Sequence, residues 1–164
     1  MAQSATEDML SFAVIVGGFP ITGFGPGGAI RFVAGAPKYT MRIGVAGLGS
    51  FTRVNDNSGT LSIDLLPTAD ANDAMNAMLK FSESRPNGAN FASSVIDTSG
   101  RFSLVCGSCA LTKNPDPTIG DGSGLMTWDL IGVDWVHNTG GRGATPVFEQ
   151  GEVPELSNIP GFDT

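Results

Sequence analysis

The residue pattern in this chain that most resembles a reactive site is Cys106-Gly107-Ser108-Cys109. In thioredoxin-like proteins this spacing opens a helix, whose dipole lowers the pKa of the first thiol. Here it lies inside RFSLVCGSCAL, which reads as a strand, and positions three apart on a regular strand face opposite sides. A zinc site would need two further ligands, and the one histidine in the chain is His137. The pair therefore reads as two small buried thiols in a sheet.

The other chemical signals are weaker. Gly23, Gly25 and Gly28 of GFGPGG have G-x-G-x-x-G spacing, which in a dinucleotide site opens a helix facing the pyrophosphate. The next residues are AIRFVAGAP, where Ile30 and Phe32 alternate with Arg31 and Val33 as in a strand. No acidic residue stands about 20 positions on to hold a ribose. These glycines make a turn. Asp129 and Asp134 could act as an acid–base pair only if their pKa values were pushed apart, and five residues apart on one strand they face opposite sides. Asn114, Asp116 and Asp121 lack the EF-hand spacing and read as a surface turn. With one histidine and no G-x-S-x-G elbow, no serine has a base to activate it. The expectation is no catalytic residue, no metal and no cofactor.

The elements that would position these residues are mostly strands. Apolar or alternating runs near 11–16, 29–34, 39–45, 48–54, 59–66, 91–97, 101–111 and 125–136 are divided by Gly/Pro/Asn/Asp clusters. In GTLSIDLL, Leu61, Ile63 and Leu65 fall on one face and Ser62 and Asp64 on the other; Pro67 ends the run. One helix comes next. Asp70 stands at its N-cap and Asp73 in its first turn, and Ala71, Ala74, Met75, Met78 and Leu79 form an apolar stripe with Asn72, Asn76 and Lys80 off it. Trp128 and Trp135, on one predicted strand, should face opposite ways. Thr112 to Gly124 is a surface loop. Residues 1–10 read as an N-terminal arm and 138–164, rich in Gly and Pro, as an extended C-terminal arm of a single domain.

Composition agrees. Glycine accounts for 23 of 164 residues and charged residues for 15%, too apolar for a disordered chain and too rich in glycine for a helical one. Sixteen acidic against nine basic residues give a net charge of −7, which disfavours tight binding to a phosphate backbone. MAQSATEDML lacks a basic region and a long apolar core, so it does not read as a signal peptide. The longest apolar run, Phe12 to Val16, is too short to span a bilayer. The expected compartment is a cytoplasm, where the cysteines stay reduced.

The order of elements carries a resemblance. An apolar strand precedes GFGPGG and a strand with Arg31; a hairpin leads to NDNSGTLSIDLL and the single TADANDAMNAMLK helix; a strand pair leads to a KNPDP loop and a final TWDLIGVDW strand. Over roughly residues 10 to 137 this resembles the small tail-tube proteins of contractile-tailed bacteriophages, among the phage structural proteins. More distantly it is similar to the hexameric tube of the type VI secretion system. The resemblance implies a mainly β fold, a sandwich or barrel flanked by one helix. Homo-hexameric rings would stack into a tail tube in the virion, with a contractile sheath protein outside and the tape measure protein and ejected DNA inside. Such a particle is assembled in the bacterial host cytoplasm, and the protein touches no membrane.

Open sheet edges fit ring closure, and an acidic lining fits a conduit that must not hold DNA. Asp64, Asp97 and Asp129 are the candidates to line the bore. Gly44, Gly47, Gly49, Asn55 and Asp56, within a Gly-rich segment with nothing of its own to pack on, are the candidate inter-ring loop. An acidic all-β module for a small ligand or carbohydrate is the alternative, weakened by the lack of a Trp/Tyr platform; a hydrolase with an unrecognised site is a third reading.

Overall fold

Alternating apolar strands joined by short turns can bury one face only by pairing antiparallel and wrapping round a common core. That is the arrangement in the computed structural model, which describes residues 12–27, 29–98, 102–120 and 124–139. The N-terminal arm 1–10, Gly28, Asp121 and residues 140–164 of the expected C-terminal arm lie outside the described residues. The strands are β1 (Phe12–Val16), β2 (Phe19–Pro20), β3 (Ile30–Ala34), β4 (Tyr39–Ile43), β5 (Gly49–Arg53), β6 (Gly59–Leu65), β7 (Phe91–Asp97), β8 (Phe102–Leu111), β9 (Met126–Gly132) and β10 (Val136–Thr139). One helix, α1 (Ala71–Glu83), stands between β6 and β7.

Eight strands form one antiparallel sheet in the order β2-β1-β7-β8-β9-β6-β3, with β10 also paired to β8. The N-terminal half of β8 pairs with β10 and its C-terminal end with β9. Beyond this fork the exposed strand β10 sets His137 edge-on to Phe32 and Phe102. The mainly β fold with one helix is as expected.

The inner face is the core. Leu61, Ile63 and Leu65 of β6 pack there with Val14, Val95, Leu104, Trp128 and Leu130. Met75, Met78 and Leu79 of α1 close the cluster, so the apolar stripe lies inward as its spacing dictates. Asp70 is the N-cap residue, but its side chain makes no capping hydrogen bond. Its backbone is already in the helical region, whereas a side-chain cap requires an extended residue there. The tie at this end is Asn72, which donates to the Leu66 carbonyl at 2.8 Å and accepts from Trp128 Nε1 at 2.9 Å.

The last predicted strand, 125–136, ends early as β9, and β10 takes in its final residue together with Asn138 and Thr139, which fall in the expected C-terminal arm but pair with β8 instead. The chain turns at Val133–Asp134, β10 starts at Val136, and the alternation restarts there. Trp128 and Trp135 are therefore both buried, not on opposite faces. Trp135 Nε1 donates to the Gly59 carbonyl at 3.0 Å, which satisfies its buried N–H. Gly23 to Gly27 forms bends and an isolated bridge of Phe24 to Leu65 rather than a helix, with Gly23 and Gly27 at positive φ, and β3 follows.

Candidate functional site

Pairing of β3, β6 and β9 gathers the polar residues of three strands on the outer face of the sheet. Arg31 stands opposite Ser62, Ser62 opposite Asp129, and Asp64 opposite Thr127. Arg31 Nη1 donates to Asp64 Oδ2 at 2.7 Å and Nη2 to Oδ1 at 3.3 Å, while Thr127 Oγ1 donates to Asp64 Oδ1 at 2.6 Å. Ser62 Oγ donates to Asp129 Oδ1 at 2.5 Å. Asp64 is only 8% exposed. The Arg31 hydrogen bonds hold its carboxyl below the usual carboxylate range against the opposing pull of burial, and the same contact raises the Arg31 guanidinium.

Two of the three aspartates expected to line the bore are thus neighbours, and their charges are unequal in effect. The Asp64 charge is matched by Arg31, so the excess negative charge of this cluster belongs to Asp129. Asp97 is elsewhere: on β7 it shares the core side with Ser93 and Val95 and is 4% exposed. The Arg31–Asp64 pair was readable only after register was known, since diagonal partners across two strands come within reach only in the right pairing.

At the fork of β8, the two cysteines face the same way. Phe91 pairs with Cys109 and Ser93 with Cys106, so Gly107 and Ser108 stand opposite Ala92 alone. This bulge inserts one residue and restores the inward parity, which corrects the expectation of opposite faces. Both thiols are free and buried. Cys106 Sγ donates to Asp134 Oδ1 at 3.0 Å, and the Ser108 N–H reaches the same oxygen at 3.2 Å. Burial first, and then the Asp134 bond, push the Cys106 thiol up to about 12, while the bond from Cys106 lowers Asp134. A thiol held protonated is a poor nucleophile at neutral pH. Among the described residues no group of three or more His, Cys, Asp or Glu could hold a metal ion. No helix there is long and apolar enough to cross a membrane.

The third feature is the hairpin of β4 and β5, which pair only with each other. Tyr39, Met41 and Ile43 line up with Arg53, Phe51 and Gly49 on one face, and Thr40, Arg42, Ser50 and Thr52 on the other. Every residue of both strands is exposed, Met41 by 58% and Phe51 by 73%. The tip is closed by Gly44 N–H to the Leu48 carbonyl at 2.8 Å and Gly47 N–H to the Gly44 carbonyl at 2.9 Å, with Gly47 at φ +80°. The candidate loop residues therefore divide. Gly44 and Gly47 make the tip, Gly49 opens β5, and Asn55 and Asp56 lie at the base. There Asp56 Oδ1 accepts the Ser58 N–H at 2.8 Å, and Lys38 reaches the Asp56 carbonyl and the Asn57 side chain. Beside the base is an open groove of about 420 Å³ lined by Gly35, Ser58, Asn90, Ala110, Ile131 and Val133, among others.

No family model matches the chain, and no curated protein matches it. Solved structures do. A chain from the cryo-EM structure of the sheath/tube terminator of an extracellular contractile injection system, PVC, in the extended state aligns with a TM-score of 0.53 at 13% identity, over 84% of this chain and 100% of that one. A chain from the anti-feeding prophage tube-terminating cap aligns with a TM-score of 0.53 at 14% identity, over 85% and 95%. One from the PVC sheath-tube complex in the extended state aligns at 0.47 and 11% identity, over 80% and 90%. The fold is that of components of contractile injection systems.

Proposed function

We propose that this chain is a non-enzymatic structural component of a contractile tail-like particle, built by repetition of one subunit about an axial channel. The observation that carries the reading is the β4–β5 hairpin. A lone two-stranded hairpin is marginal in water, and one that exposes Tyr39, Met41, Ile43 and Phe51 on a single face needs a partner to cover it. The sheet also ends in edges, β3 on one side and the two-residue β2 on the other. Joining unlike edges of successive copies closes a ring without leaving a pairing template exposed. Near-complete coverage of the terminator and cap chains supports the kind of particle.

In this reading six copies form a ring, the outer sheet face with Asp64 and Asp129 lines the bore, and α1 lies away from it. The particle is a phage tail or tail-like device assembled in a bacterial cytoplasm, with a sheath outside and a tape measure protein and DNA within. Gly44 to Asp56 reaches the adjacent ring. A second reading is that the ring terminates the tube rather than repeating along it, favoured by the two solved chains matched over nearly their whole length. Negative-stain electron microscopy of the purified protein tests both. Rings stacked into long tubes support the tube subunit, and single or paired rings support the terminator. A protein that stays monomeric on concentration overturns the assembly reading.

A further inference from the structure

The hairpin and the groove have matching chemistry. From Lys38 to Val54 the chain carries Lys38, Arg42 and Arg53 and no acidic residue, within a chain of net charge −7. Neither Arg42 nor Arg53 forms an ion pair among the described residues. At the tip, Val45 is fully exposed and Leu48 80% exposed. The groove has an apolar floor of Ala110, Ile131 and Val133, the last 72% exposed, and no charged lining residue. Its flanks are acidic. Asp134 bonds the N–H of Ser108, which also lines the groove, and Asp129 stands two residues before Ile131 on the same face of β9.

We propose that the groove is the receptor for the β4–β5 tip of a second copy of this chain, with Val45 and Leu48 seated on Ile131 and Val133 and Arg42 beside Asp134. A copy cannot satisfy itself. Gly35 and Ser58 of the groove stand at the hairpin's base, and five residues of strand at about 3.3 Å each carry the tip on the order of 16 Å away. The exposed state of Val45 and Leu48 agrees. Donor and receptor are different patches of one surface, so the contact is head-to-tail and leaves a tip and a groove unused at the two ends of any open stack. It builds on the assembly reading above by supplying the contact between successive rings. Opposite charges at the rim set orientation and make association sensitive to salt.

Complementation tests this. Leu48→Asp removes the tip and Val133→Asp the floor, both at exposed positions outside the core, with far-UV circular dichroism to verify folding. Mass photometry on each variant alone should stop at one unit, whether monomer or single ring. Mixing the two separately purified variants should double that mass and go no further, because one supplies the intact tip and the other the intact groove. Raising salt from about 50 to 500 mM should weaken the doubled species. An unchanged mass on mixing, or either variant alone assembling as the unsubstituted chain does, overturns the docking. Stacked rings or tubes formed by Leu48→Asp would overturn the docking and leave the particle assignment intact. Doubling by the mixture, with no annular species from the unsubstituted chain, would sink only the assignment.

Discussion

Replacing Asn72 by alanine tests how the helix is held to the sheet. Trp128 is 2% exposed, and its indole N–H has the Asn72 carbonyl oxygen at 2.9 Å as acceptor. Removing that oxygen leaves a buried donor unpaired, a cost of about 1–3 kcal/mol. The lost bond from Asn72 to the Leu66 carbonyl is at an exposed site where water replaces it, so it adds little. Alanine's better helix propensity offsets about 0.6 kcal/mol. The expected net loss is about 1.4 kcal/mol, or roughly 3–6 °C in Tm for a domain of this size. Urea unfolding monitored by far-UV circular dichroism measures it, with the slope unchanged if only stability moves. Asn72→Asp keeps an acceptor and adds a favourable charge in the first helical turn, so it should cost less than alanine. In a cycle with Trp128→Phe, the coupling should be about 1–2 kcal/mol, within the range for residues in direct contact. A loss below about 0.5 kcal/mol with additive behaviour in the cycle would refute the tie, whatever the distance in the structure.

The core and the outer face give two further expected outcomes. Leu79→Ala should cost about 2–5 kcal/mol, because Leu79 is buried against the sheet and truncation leaves a cavity; an unresolved shift in denaturant midpoint would show that the stripe is not core. Asp64→Asn should cost about 1 kcal/mol at neutral pH, discounted because Arg31 is half exposed, and the deficit should depend on pH. Since the folded-state pKa of Asp64 is lowered, its contribution is complete above the unfolded value of about 4 and is lost as pH falls through the folded one. The gap between wild-type and variant midpoints should therefore narrow as pH falls below about 4, and a gap that does not narrow at all in acid would contradict the ion pair.

Local pattern alone was enough for most of the strands, the helix and the inward stripe, though not for β2 or β10. Leu61, Ile63 and Leu65 alternate, and Met75, Met78 and Leu79 recur at helical spacing, because burial on one face selects those periods whatever the surroundings. The likeness in element order pointed to the same fold that the solved terminator and cap chains share. Parity over long strands was not legible. One extra residue at Gly107–Ser108 turned Cys109 inward beside Cys106, and one turn at Val133–Asp134 did the same for Trp135. A period-two reading cannot sense either event, because each depends on which strand lies opposite. Asn72 likewise sits off the apolar stripe and becomes structural only because Trp128 arrives from 56 residues away. The Arg31 and Asp64 charges cancel for the same reason: Arg31 lies opposite Ser62 and diagonal to Asp64 in the observed register. Residue order was sufficient to say which side chains prefer burial and with what period. Strand pairing then selected which polar groups meet, because hydrogen bonds and ion pairs act over a few ångströms between residues that local sequence keeps far apart.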